Sequence, residues 1–97
     1  MGVIDSFEGA VYHYDKSMER LDDGELRGAV ESATEGFRHL KHMDGDVNNE
    51  VRARTETAVS YIRDGKRLKA SEQLREVRVR VQEKQAENLN TRLSGMR

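Results

Sequence analysis

The chain has 97 residues, enough for one domain and a modest core. It holds no Cys, which excludes a disulfide framework, a thiolate nucleophile and a Cys-ligated zinc site. Its net charge of -1 conceals a division: residues 1–65 carry 8 Lys/Arg against 14 Asp/Glu, and residues 66–97 carry 9 against 4.

Charged residues make up 36% of the chain and hydrophobic residues 35%, so most positions must face water. There is no Pro, which suits long helices and does not suit a loop-rich or all-β protein, where Pro marks turns and edges. No apolar run is long enough for a membrane span or a signal-peptide core. A location in the cytoplasm or within a virus particle or similar assembly is expected. Gly2 and Ser6 fit the loose N-myristoylation pattern, but no polybasic patch follows to supply a second membrane signal. A chance match is the reading taken.

Hydrophobic spacing divides the chain into four helices. In the first, Ile4, Phe7, Val11, Tyr14, Met18 and Leu21 alternate intervals of three and four and share one face. Asp22-Asp23-Gly24 breaks it, and Asp22 with Glu25 has capping-box spacing for the next helix. The second carries Leu26, Ala29, Val30, Ala33, Phe37 and Leu40 on one face, with Gly45 expected as a left-handed cap. On the same helix Gly28, Ser32 and Gly36 recur every four residues, which predicts a close helix crossing within the bundle.

The third helix, with Asp46, Asn48 or Asn49 as its cap, presents Val51, Thr55, Ala58, Val59 and Ile62 until Asp64-Gly65 stops it. The fourth starts near Lys66 and meets no strong breaker before Gly95. Val77 to Val81 alternates like a strand, but the flanks read as helix.

At an offset of 41 residues a faint repeat appears. Leu21, Asp23, Gly24, Ala29, Glu31 and Glu35 align with Ile62, Asp64, Gly65, Ala70, Glu72 and Glu76. Each half then reads as a helical hairpin turned at Asp-Gly. In the second hairpin, Ala58, Tyr61, Gly65, Ala70, Leu74 and Val77 resemble the spacing of a tetratricopeptide repeat, without its early aromatic or closing Pro. The resemblance implies tight antiparallel packing.

The fourth helix carries two apolar stripes. Ala70, Leu74, Val77 and Val81 form one, suited to a four-helix core. Val79, Ala86, Leu89, Leu93 and Met96 form another, rotated by roughly 110° on an ideal helix. The other helices are too short to cover the second stripe, and an exposed apolar stripe on a protruding helix calls for a partner.

The chemistry of sites is sparse. His39 and His42, followed by Asp44 and Asp46, could offer imidazoles and a carboxylate to a metal, but histidines also suit a helix C-terminus, and no metal is expected. Asp44, Asp46 and Asn48 begin like a calcium loop, yet Asn49 and Thr55 stand where Gly and a bidentate Glu are needed. There is no Gly-rich phosphate loop, no sign of an oriented nucleophile and base, and no paired Glu-x-x-His. No enzyme, cofactor or small-molecule substrate is expected. Lys66, Lys69, Arg80 and Lys84 share one flank of the fourth helix and could contact nucleic acid, but Glu72, Glu76, Glu83 and Glu87 run beside them.

The expected fold is all-α: two antiparallel helical hairpins, over 3–43 and 48–97, forming one small four-helix bundle with an extended C-terminal helix and a protruding segment at 82–97. The expected function is non-enzymatic: a structural subunit or adaptor in a homo- or hetero-assembly, of which a virus particle is one setting. Arg75, Arg78, Val79, Ala86, Leu89, Arg92, Leu93 and Met96 are the expected contacts to a protein partner or second copy. Nucleic-acid binding through the basic C-terminal third is the alternative, and a metal-binding regulator ranks below it.

Overall fold

A computed structural model describes residues 3–40 and 45–95, with residues 3–6, 88 and 91–95 described by backbone alone. Four helices follow in order: α1 (Val3–Asp22), α2 (Leu26–Arg38), α3 (Gly45–Arg63) and α4 (Arg67–Gly95). No strand occurs among the described residues, and Val77 to Val81 lies inside α4. The protein is an all-α bundle of two helical hairpins. α1 packs on α2 and α4, and α3 packs on α4 and α2. The helices therefore close a ring, unlike the open stack that tetratricopeptide spacing describes.

The stripes read from the sequence meet at the centre of that ring. Phe7, Tyr14 and Leu21 of α1, Ala29 and Ala33 of α2, Val51, Ala58 and Ile62 of α3, and Ala70, Leu74, Val77 and Val81 of α4 are all buried. Val11, Met18, Leu26, Val30, Phe37 and Val59 pack half-buried around them. The small-residue row on α2 does serve a close crossing. A Cβ on Gly36 would stand 3.0 Å from the Tyr14 ring, and one on Gly28 would stand 3.0 Å from the Arg20 side chain.

Both hairpin turns are the same object. Gly24 and Gly65 have φ of 79° and 77°, a left-handed conformation that a side chain disfavours. In the first, the amides of Gly24 and Glu25 donate to Leu21 O and Arg20 O at 3.0 and 2.8 Å. In the second, Gly65 and Lys66 donate to Ile62 O and Tyr61 O at the same two distances. These are Schellman caps, and each leaves only three residues between one helix and the next.

The offset of 41 extends well beyond the turns. Ala10, Tyr14, Ser17, Leu21, Ala29, Ala33, Gly36 and Leu40 are buried, and so are Val51, Thr55, Ala58, Ile62, Ala70, Leu74, Val77 and Val81. Tyr14 and Thr55, themselves 41 apart, share a buried hydrogen bond of 2.8 Å. Equivalent residues that touch each other must lie beside the axis relating the two halves. The bundle is thus two copies of one hairpin about a pseudo-twofold axis.

Local boundaries depart from expectation at three points. Asp22 is the last residue of α1, and the N-cap of α2 is Glu25, which makes no side-chain capping bond. The Schellman turn has taken the residues that a capping box would use. Gly45 begins α3 instead of ending α2, and α2 stops at Arg38, with His39 at its cap in right-handed helical conformation. Asp46, Asn48 and Asn49 therefore lie inside α3, where the Asn48 side chain donates to Leu40 O at 3.0 Å and fastens the end of the α2 segment.

α4 has 29 residues against 20, 13 and 19 for the others, and a 29-residue helix is about 43 Å long. The molecule measures 50 × 23 × 18 Å, so α4 sets its length.

Candidate functional site: the outer end of α4

Contacts across the bundle fix where α4 outruns its neighbours. Arg67 Nη1 donates to Leu21 O at 3.3 Å, and Arg78 Nη1 pairs with Asp15 Oδ1 at 2.6 Å. Stepping back along α1 from these contacts brings Val3 level with roughly residues 85–90 of α4, at about 1.5 Å per residue on each helix. On the other side Arg80 Nε meets Glu50 Oε1 at 3.3 Å, so α3 ends at roughly the same height. Val81 is the last buried residue of α4 among those described.

Three residues of the second stripe have described side chains, and all three face outward. Val79 and Leu89 are 44% and 52% exposed, two of the four exposed large hydrophobic side chains among the described residues, the others being Tyr12 and Leu68. Ala86 is exposed as well. The helix is unbroken through residues 82–85 and carries Arg92 and Leu93 in its final turns, described by backbone alone. Met96 lies outside the described residues.

The stripe also has a period that apolar spacing alone does not reveal. Positions 79, 82, 86, 89, 93 and 96 alternate steps of three and four, the a/d seam of a coiled coil, with Gln82 at one polar position. Gln82 is exposed. The missing signal was the polar residue, which does not show in a count of apolar ones.

The expected basic contacts divide. Arg75 is exposed and Arg92 is placed on the same helix. Arg78 is committed within the bundle: Nη1 holds Asp15, and Nε is buried with no hydrogen-bond partner among the described residues. Arg80 is likewise engaged, with Glu50 at 3.3 Å and with Glu83 and Glu87 at 3.8 Å each. Lys66 and Lys69 lie over the Tyr61 ring at 6.0 and 5.8 Å. On the basic flank Arg80 is thus paired within its own chain, while Lys66 and Lys69 rest beside a ring and stay exposed.

Elsewhere the histidines take an arrangement that spacing did not suggest. His39 stacks on His13 across the α1–α2 crossing, with ring centroids 5.2 Å apart and planes 20° from parallel. Gly9 makes room: a Cβ there would come within 2.9 Å of the His39 ring. Lone pairs lie in the ring planes, so parallel rings do not converge on one ion. His42 and Asp44 lie outside the described residues. Among the described residues no three His, Cys, Asp or Glu side chains gather as metal ligands.

The α2–α3 seam holds an open groove of about 520 Å³, lined by Phe37, Val59, Thr34 and Thr55 together with Arg52, Glu56 and Arg63. The Arg52 guanidinium stands 5.8 Å from the Phe37 ring centre. Its pseudo-symmetric counterpart, the α1–α4 seam, is stitched by Arg78 and Asp15, which stand where α2 and α3 have Phe37 and Glu56. Sequence spacing places Phe37 on the core face but cannot show that one seam closes and the other stays open.

Burial pushes the Tyr14 phenol upward, opposed in part by the hydrogen bond with Thr55. It stays neutral at ordinary pH and acts as a structural hydrogen-bonding group. No helix among the described residues is long and apolar enough to cross a membrane.

No protein-family model, no curated protein and no solved structure matches this chain.

Proposed function

We propose that the protein is a non-enzymatic subunit or adaptor of a larger homo- or hetero-assembly, in which copies of this chain contact one another through the C-terminal part of α4. The observation that carries this reading is the exposed Val79–Ala86–Leu89 stripe on a helix that outruns its bundle. Apolar side chains in a heptad seam are the usual means by which one helix docks on another. Burying a Leu fully contributes about 1.5–3 kcal/mol, so a seam of this length suits a reversible contact.

Arg75 and Arg92 would meet acidic surface beside the seam. The acidic excess of residues 1–65 provides such surface on a second copy, and a virus particle or other multi-subunit machine is a suitable setting. Nucleic-acid binding is the weaker reading, because Arg78 and Arg80 are ion-paired within the chain and glutamates run beside the remaining lysines.

Leu89→Asp tests the proposal. The variant is expected to keep the helix content and melting temperature of the intact chain while its association, followed by sedimentation over a concentration series, weakens at least tenfold. Unchanged association would contradict the reading.

A further inference from the structure

The internal pseudo-symmetry has a consequence for what a second copy can do. The face between the hairpins is largely one face used twice, since eight of the ten buried positions in residues 7–40 recur as buried at an offset of 41, Phe7 and Ser32 being the exceptions. A face that packs on its own equivalent through a twofold axis has the geometry of a symmetric dimer interface. The chain crosses from one hairpin to the other once, between α2 and α3. Each hairpin is closed within itself by its own Schellman turn, so either can be exchanged as a unit.

We propose that this face is interchangeable between copies: α1–α2 of one chain packs on α3–α4 of a second, giving a dimer that reproduces the monomer core twice. Pairing within one chain dominates when the protein is dilute, because the linked hairpin has the higher effective concentration. Exchange competes as the protein concentration approaches that of the linked hairpin.

The axis pair determines which hairpins meet. Tyr14 is large and rests on Gly36, and opposite it stands the smaller Thr55. Two α1–α2 hairpins would bring Tyr14 against Tyr14, and two α3–α4 hairpins would leave paired Thr55 residues over a hollow. Only unlike hairpins fill the axis with one large and one small side chain. Exchange therefore preserves the pairing seen within the monomer.

A charge exchange at Asp15 and Arg78, which bridge the hairpins at 2.6 Å, tests this on full chains. Within an Asp15→Arg chain two arginines face each other, and within an Arg78→Asp chain two aspartates do. In an exchanged dimer of the two variants, both sites hold opposite charges again. Equal amounts are unfolded together and refolded at roughly millimolar concentration, the range of a tethered partner. The expected product has twice the mass of either variant refolded alone when dilute, the helix content of the intact chain, and a higher melting temperature than either variant. A mixture keeping the mass and melting temperature of its separate components would overturn the proposal, and so would a heavier product that has lost helix. Neither outcome depends on the outer end of α4, so the result is separable from that of Leu89→Asp.

Discussion

At the scale of single residues, Tyr14 and its neighbours carry the most information. Its phenol meets Thr55 across the axis, and its ring covers Gly36. Tyr14→Phe leaves the Thr55 hydroxyl buried without that partner, which costs about 1–3 kcal/mol, whereas the double change with Thr55→Val recovers part of the loss. Urea unfolding of the two variants would show whether the second change rescues the first. The pair also gives the protein an alkaline limit. The ordinary phenol value is 10.0, and burial raises it in the fold. Above about pH 10 the unfolded chain releases the proton while the folded chain keeps it, so stability is full below that pH and falls as pH rises. In Tyr14→Phe the decline between pH 9 and 11 is expected to be shallower.

Gly28 and Gly36 look alike in the sequence and should respond oppositely to alanine. The Gly36 position faces a ring held by its hydrogen bond and the Ala10 carbonyl at 3.3 Å, neither of which can move away. Gly36→Ala is expected to destabilise by about 1–2 kcal/mol despite the better helix former. Gly28 faces the flexible stem of Arg20, which can give way. Gly28→Ala should be neutral or stabilising by up to about 1 kcal/mol. Thermal melts of both variants check the contrast, and a loss of stability at Gly28 would count against this account of the crossing.

At the scale of elements, the sequence was legible wherever a single helix decides the outcome. Spacing at threes and fours placed an inward stripe on each of the four helices, because a helix fixes which residues share a face. It missed the buried Ala10, Ser17 and Ser32, whose small side chains carry little apolar signal. Asp-Gly marked both turns, because a left-handed residue there favours Gly. Gly65→Ala keeps every packing contact but must hold an alanine at φ of 77°. It is expected to cost about 1 kcal/mol, readable as a lowered urea midpoint at unchanged slope. The end of α2 was not legible: it stops at Arg38 with no left-handed cap, and its end is fastened by Asn48 from α3. Sequence spacing on one helix says nothing of a side chain arriving from another. The same holds for Arg78, whose place on α4 was evident while its partner Asp15, 63 residues away, was not.

At the scale of the molecule, the repeat was faint as identity and far stronger as burial, failing among the comparable buried positions only at Phe7 and Ser32, whose equivalents Asn48 and Gln73 are half-buried. Six aligned residues around one turn hinted at it, yet Ala10 and Val51, or Gly36 and Val77, share a position without sharing a side chain. A buried position demands apolar or small character, so symmetry in burial outlasts symmetry in sequence. The closure of the ring, the open α2–α3 groove and the stitched α1–α4 seam arise from four helices together and leave no periodic trace. What the sequence did disclose at this scale is the surplus: α4 has a core stripe that ends at Val81 and a second stripe that the bundle leaves exposed at Val79, Ala86 and Leu89. Ending the chain after Lys84 removes the outer part of that stripe while leaving Ala70, Leu74, Val77 and Val81 in place. Light scattering on the shortened and full chains at equal concentration tests the assembly claim most directly. The full chain is expected to have a mass above that of an 11.1 kDa monomer and the shortened chain is not; both chains scattering as monomers, or as the same oligomer, would contradict assembly through α4.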